Sequence, residues 1–351
     1  MIGLFLPTNI KYAPYINNYI EILSKRKIDY EIILWDKRGI EKESDNIYKK
    51  KMEDKNSLKK IIKYVGFIKF IRKKIKQRNY EKVIVFTLAP AIFLIDILLN
   101  RYKNNYILDV RDDTPLRKFF YHNIILLARN AQILIASSPC YEKWLKRKVT
   151  LCHNIDVEKI KEEIEYTPKK KEGDTICITC AGMMMEGKTN LYFLQKYASD
   201  SKMKFCYYGP MNQEMEVLKE YAKDRKNVKF MGIYKKEDIY NIYRKQTDYV
   251  NVLRHKSVVN AEALPNKLYE AVISGVPIIA FEHNEAISFY SKKYYLGVIF
   301  KDENEIMNEN TFYQKIFVFD YEKYSIGRKK FLADVLNCMN EFEEVLIRFA
   351  E

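Results

Sequence analysis

Three side chains able to do chemistry fall in one short stretch, Glu262-Ala-Leu-Pro-Asn-Lys-Leu-Tyr-Glu270, which continues Ala-Val-Ile-Ser-Gly-Val-Pro-Ile-Ile. Pro265 suits the first turn of a helix, where its missing N–H is no loss. Ala263 and Leu264 before it offer no side-chain cap. The free N–H groups of that turn, with the helix dipole behind them, are left for an anionic ligand. At about 100° per residue, Asn266, Lys267 and Glu270 share one arc of the helix and Leu268, Ala271 and Val272 lie opposite. Lys267 could then neutralise a diphosphate while Glu270 accepts hydrogen bonds from a ribose diol. The same spacing also describes an ordinary surface ion pair, and both readings stand at this point.

Other reactive groups carry less. Asp109, Arg111 and Asp112 follow a predicted strand end, where they could pair among themselves or orient acceptor hydroxyls. His255 lies just beyond another strand end, the place where α/β proteins bind ligands, or is an incidental loop residue. Cys177 and Cys180 form a CxxC, but in a strand the i and i+3 side chains point to opposite faces, so neither metal binding nor redox work is expected of them. The four histidines show no ligand spacing, and six cysteines in 351 residues read as reduced thiols rather than a disulfide framework.

The elements that must hold these residues alternate. Candidate strands are residues 2–6, 30–35, 82–88, 106–110, 133–136 and 149–152, with helices over 15–26, 58–78, 91–101, 116–130 and 141–147 between them. Their apolar runs are continuous, as strands buried on both faces of a parallel sheet require. A charge-dense stretch, 157–174, containing Lys169-Lys170-Lys171, reads as a linker. The alternation then restarts, with strands at 176–181, 204–208, 228–232, 249–253, 276–281 and 298–300 and helices at 190–198, 213–222, 236–245, 265–273 and 285–293. An amphipathic helix over 326–349 closes the chain. Right-handed βαβ units in two sets imply an α/β protein of two Rossmann-like, doubly wound domains, residues 1–156 and 175–325, facing a central cleft. Residues 326–351 would pack back on the first domain. No repeat of 20–50 residues suggests a solenoid.

Several segments together resemble a known family. Glu262 and Glu270, seven residues apart, with Gly275-Val276-Pro277-Ile278 after them, resemble the Glu-x7-Glu signature of the retaining GT-B glycosyltransferases of family 4. The likeness is closest to the Pro-Asn-Lys-Leu-Tyr-Glu variant of capsule and cell-surface polysaccharide enzymes. Ala181-Gly182-Met183, with Lys188 further on, is similar to that family's diphosphate-binding Gly-Arg-x4-Lys; Phe205 to Pro210 and Val228 to Gly232 are similar to its later strand ends. Asp109 to Pro115 and Asn154-Ile155-Asp156 resemble segments of the first domain. The resemblance implies a nucleotide diphosphate sugar (UDP-, GDP- or ADP-linked) bound by the second domain. Glu270 would hold the ribose, with Asn266, Leu264, Pro265, Gly182, Met183, Gly209 and Arg254 around the nucleotide. Lys188 and Lys267 would face the diphosphate, and Glu262 the donor sugar. Asn9, Asp109, Arg111 and Asp112 are the acceptor-side candidates. No Asp-x-Asp metal motif appears where one would be needed, so no metal and no cofactor are expected. Met183 stands where the family has arginine, His153 replaces a proline, and Pro7-Thr8-Asn9 replaces a glycine-rich acceptor loop.

Composition limits the partners. The formal charge is +15, from 61 Lys+Arg and 46 Asp+Glu. Residues 1–160 hold 32 basic and 17 acidic residues, a net of +15, whereas 161–351 hold 29 of each. A uniform genomic bias would not concentrate the excess in one half. The stretch 58–78 contains nine Lys/Arg and no carboxylate. Leu58, Ile61, Ile62, Val65, Ile68 and Ile75 fall mostly on one side of its helical wheel, with Phe67 and Phe70 among the lysines. Either this is a solvated basic face, or it is an interfacial one meeting an anionic membrane. No nucleic-acid module is visible, so nucleic acid is not expected. The longest charge-free apolar stretch, Val83–Ile95, contains Pro90 and is too short to span a bilayer. The first residues lack the cationic region of a signal peptide. The expectation is a cytoplasmic enzyme, peripheral at the inner membrane face, transferring a sugar to a glycan or polyprenyl-diphosphate-linked acceptor. A sugar-nucleotide 2-epimerase of the same fold, or a non-catalytic partner subunit, are the alternatives.

Overall fold

The computed structural model describes residues 1–52, 57–170, 172–183 and 186–351, and only the backbone of Ser57 and Leu58. Lys171 of the expected linker and the Leu58 side chain of the basic helix lie outside the described atoms. Two compact units emerge, Met1–Ile155 with Asn337–Glu351, and Asp156–Leu336.

The first unit is built on seven parallel strands: β1 (Ile2–Leu6), β2 (Tyr30–Asp36), β3 (Ile47–Lys49), β4 (Lys82–Phe86), β5 (Tyr106–Val110), β6 (Ile133–Ala136) and β7 (Thr150–Leu151). Their order is β3-β2-β1-β4-β5-β6-β7, so the winding reverses between β1 and β4. β1 and β5 are buried at every position, which is why their sequences lack apolar–polar alternation, the one charged residue, Asp109, being paired inside. β3 was not foreseen: three residues at the sheet edge among lysines carry no apolar run. The helix expected over 91–101 is two, Leu88–Phe93 and Ile95–Asn100, because Leu94 leaves helical geometry and its N–H is shared between the Pro90 and Ala91 carbonyls.

The basic helix Ser57–Arg78 departs from its wheel. Phe67, Ile68, Ile71 and Ile75 are buried against the sheet, and Phe70 and Tyr64 pack at their edge. Phe67 packs against Trp35 with the rings tilted by 30°, centroids 5.5 Å apart. The phenylalanines therefore belong to the core and not to an exposed face. What faces out instead is a stripe of Ile61, Ile62, Val65, Lys69, Lys73 and Lys76. The sequence pattern points the hydrophobic arc to the wrong side because Ile61, Ile62 and Val65 face outward.

The second unit repeats the winding with six parallel strands: β8 (Ile176–Ala181), β9 (Met203–Tyr208), β10 (Val228–Gly232), β11 (Tyr249–Asn251), β12 (Ile278–Phe281) and β13 (Gly297–Phe300). Their order, β10-β9-β8-β11-β12-β13, reverses between β8 and β11. Short helices Val258–Glu262, Glu303–Met307 and Glu309–Phe317 were not expected from the sequence. The final helix, Tyr321–Ala350, runs 30 residues. Its last turns belong to the first unit, where Phe342 meets Tyr19 with ring centroids 4.9 Å apart and Lys82 Nζ donates to the Phe349 carbonyl at 2.6 Å. Earlier in the same helix Arg328 is fully buried and donates to five carbonyls: Glu163, Ile164, Tyr166, Val272 and Ile273.

Candidate functional site

In the second unit the ends of β8, β9 and β10 each turn at a glycine with positive φ: Gly182 at +98°, Gly209 at +124° and Gly232 at +74°. Side chains disfavour such angles, so glycine is the residue the turns require. The turns are tied to their neighbours, Gly182 N donating to the Tyr208 carbonyl at 3.0 Å and Gly209 N to the Gly232 carbonyl at 2.7 Å. A Cβ on Gly209 would come within 2.0 Å of the Gly182 carbonyl oxygen. The backbone is thus bare at the carboxyl ends of three adjacent strands, the edge of an open α/β sheet where ligands bind.

The helix Asn266–Ile273 points its first turn at this edge. Pro265, expected in the first turn, is instead the N-cap in extended geometry, and no side chain caps the helix, as its sequence predicts. Lys267 lies over Gly182, its Cε 3.5 Å from where a Cβ would be. Lys267 Nζ donates to Cys180 Sγ at 3.3 Å. One turn on, burial raises the Glu270 carboxyl above its usual range, opposed by Lys236 and Lys267. Tyr234, Tyr240 and Tyr243 also feel the Glu270 charge, and burial raises each of their phenols. The arc carrying Lys267 and Glu270 is therefore partly enclosed and is not the plain surface of an ordinary helix. Lys236 and these tyrosines escaped the sequence reading; the only signal was their clustering just after Gly232.

The remaining donor-side candidates stand around this edge. Leu264 is buried, Pro265 half-buried and Asn266 exposed. Lys188 is exposed on the second residue of the helix Gly187–Tyr197, and Met183 is 62% exposed. Glu262 ends the helix Val258–Glu262, whose N-cap Ser257 accepts from Asn260 N. Arg254 is in the loop after β11, its carbonyl accepting from His283 Nε2 at 2.8 Å. Cys177 and Cys180 do face opposite sides of β8: one thiol meets Cys206 Sγ at 3.8 Å, the other meets Lys267.

The acceptor-side candidates are placed differently. Asn9 is fully buried, and its Nδ2 donates to Asp36 Oδ1 at 2.6 Å and Glu41 Oε1 at 3.0 Å. Asp109 is buried too, accepting from Tyr19 Oη at 2.6 Å and from Arg111 at 2.5 Å. Arg111 also donates to the Cys152 carbonyl at 2.8 Å and stacks over Tyr15. These three position the loops after β1 and β5; only Asp112 of the four is exposed. The local ion pair, one of the two readings open from sequence, is what Asp109 and Arg111 form.

Beside them His153 is buried, and burial with the Arg111 charge lowers its pKa to about 4. Above about pH 6.5 the imidazole is neutral folded or unfolded. Between 6.5 and 4 only the unfolded chain takes the proton, so stability falls with pH across that window and the loss is complete below 4. His153→Gln should remove roughly 3 kcal/mol of acid destabilisation. Denaturant unfolding at pH 7.5 and 4.5 should therefore differ more for the wild type than for the variant; equal differences would refute the assignment.

Comparisons with known proteins agree with this architecture. Residues 175–309 match the family model described as Glycosyl transferases group 1. Among curated protein sequences no relative matches. Similar solved structures include a glycosyltransferase from Rickettsia africae, 14% identical with a TM-score of 0.67, covering 100% of this chain and 98% of that one. Sucrose-phosphate synthase from Thermosynechococcus elongatus is 12% identical with a TM-score of 0.70, covering 99% of each chain. HepE of Anabaena, solved with UDP, is 13% identical with a TM-score of 0.65, covering 99% of this chain and 100% of its own. The fold is GT-B, with two Rossmann-like units each wound on a parallel sheet.

Proposed function

We propose that the chain is a glycosyltransferase that moves a sugar from a nucleotide diphosphate sugar, with retention, to a glycan or lipid-linked acceptor in cell-surface polysaccharide or glycoconjugate synthesis. The observation that carries this is the glycine-lined edge of β8 and β9 with Lys267 over Gly182 and Glu270 one turn further on. The group 1 match over 175–309 and the UDP seen in HepE support a nucleoside diphosphate as the ligand. Bare backbone admits a phosphate closely, and Lys267 with Lys188 supplies its counter-charge. That charge matters most as the glycosidic bond breaks and the diphosphate leaves, so it stabilises the transition state beyond the ground state. Glu270, a carboxylate facing a partly enclosed arc, accepts from the ribose hydroxyls, and Glu262 meets the sugar. The test is a thermal-shift panel of UDP, GDP, ADP and CMP. One diphosphate should stabilise the protein, by about 2.7 kcal/mol at 100 times its dissociation constant. A panel with no shift would sink the reading.

The acceptor side of the proposal rests on the first unit's charge. Among the described residues no helix is long and apolar enough to cross a membrane. The outward stripe of the helix Ser57–Arg78 nonetheless joins exposed Ile61 (56%), Ile62 (69%) and Val65 (39%) to exposed Lys69, Lys73 and Lys76. Aliphatics beside a row of cations, with no carboxylate on the helix, fit the headgroup region of an anionic bilayer. Attachment there, at the cytoplasmic face, would bring a polyprenyl-diphosphate acceptor within reach. Flotation with phosphatidylglycerol vesicles should recover the protein at low salt and lose it at high salt. Ile61→Glu with Ile62→Glu should abolish recovery at low salt as well; unchanged flotation of that variant would rule out the stripe.

A further inference from the structure

Between the helix that carries Lys188 and the loop after β11 lies a pair of titratable side chains that the proposed transfer leaves unused. His255 Nδ1 is 2.8 Å from Glu186 Oε2, and the same oxygen accepts from the His255 backbone N–H at 2.9 Å. Asn260 Nδ2 donates to the His255 carbonyl at 2.9 Å, and Asn260 is itself buried. His283 fixes the carbonyl of the residue before. The loop is therefore held at three points. The Glu186 carboxylate is 17% exposed and the imidazole 64%. Because a carboxylate only accepts, Nδ1 carries a proton towards Glu186 and the Nε2 edge is left to solvent.

The position gives the pair its meaning. β11 is the strand across the winding reversal from β8, so His255 follows one of the two strand ends that flank the reversal. Glu186 immediately precedes the helix Gly187–Tyr197, so the contact ties His255 to the start of that helix. The edge already holds Lys267, which spends a hydrogen bond on Cys180, while the side chain next to Gly182 is the exposed thioether of Met183. A thioether offers a diphosphate neither charge nor a hydrogen-bond donor.

We propose that His255, oriented by Glu186, is a binding residue for the terminal phosphate of the nucleoside diphosphate, the ring lying between two anions in that complex with a proton on each nitrogen and donating from Nε2. Glu186 is the positioning residue: it holds Nδ1 and turns Nε2 outward. The inference rests on the donor-site reading above and adds to it a contact on one phosphate only.

The test compares dissociation constants, by calorimetry at fixed pH and salt, of the best-bound nucleoside diphosphate and its monophosphate. His255→Ala should weaken the diphosphate by about tenfold or more, the scale of a hydrogen bond to a charged group, and the monophosphate by less than about twofold. Glu186→Gln should shift the same ratio in the same direction by less. His255→Lys should restore diphosphate affinity, since it returns a cationic donor. Equal losses for the two nucleotides, or no loss in His255→Ala, would overturn the inference while leaving the donor site standing. Wild-type protein that binds no nucleotide overturns the donor reading and this inference with it, a result visible before any variant is compared.

Discussion

Lys267→Ala should lower kcat for sugar transfer by roughly 100- to 1000-fold, the effect of removing one preorganised charge from a developing anion. Glu270→Gln should act differently. A ribose lies far from the breaking bond and is held alike in ground and transition states, so the loss should fall mainly on the donor KM, by about tenfold or more. Folding should survive both changes. Lys267 is half-buried, and its hydrogen bond to Cys180 is to a weak acceptor. Burial raises the Glu270 carboxyl, which means that its ionised form opposes folding at neutral pH and that the penalty fades as pH falls through the raised value. Glu270→Gln removes that penalty, so its melting temperature should hold or rise while its donor KM worsens. Initial rates across a donor titration, paired with thermal melts, check both claims. Wild-type kinetics in Lys267→Ala would remove it from the site.

How much of this was legible beforehand depended on whether the signal was local. β1, β5, β6 and β8 match their expected bounds because a buried parallel strand is written in mostly apolar residues, and the edge strand β10 matches through Val228, Phe230 and the glycine that ends it. The uncapped start of the helix Asn266–Ile273 was readable for the same reason, since Ala263, Leu264 and Pro265 have no side chain able to cap. The basic helix was misread because its burial is decided by a sheet far away in sequence, and three outward aliphatics rotated the apparent face. The Asp109–Arg111 pair was open to sequence because the two lie two residues apart, but the further partners Asp36 of Asn9, Tyr19 of Asp109 and Cys152 of Arg111 lie many residues away, so the extent of the internal network was not. The Glu186–His255 couple, 69 residues apart, was invisible for that reason also.

Arg328→Met should cost the second unit several kcal/mol, of the order of 3–5, the range for breaking a buried charge's hydrogen-bond network. The guanidinium is fully buried, and all five of its hydrogen bonds go to backbone carbonyls, at 2.6–3.3 Å. Those carbonyls are not random. Val272 and Ile273 close the helix Asn266–Ile273, while Glu163 closes the helix Val157–Glu163 and Ile164 and Tyr166 follow it. Helix C-termini leave carbonyls unpaired and carry partial negative charge, so one planar cation serves two of them at once. Methionine keeps the length and removes every donor, leaving buried acceptors without partners. Lysine should rescue little, because a single ammonium cannot span the fork that reaches both helices. At about 2–4 °C per kcal/mol for a unit of this size, the transition in calorimetry should fall by roughly 10 °C. The helix that Arg328 anchors is the one bearing Lys267 and Glu270, so donor KM should rise in the variant well below its melting point. A loss of stability with unchanged donor KM would show that the anchor holds the fold but not the position of that helix.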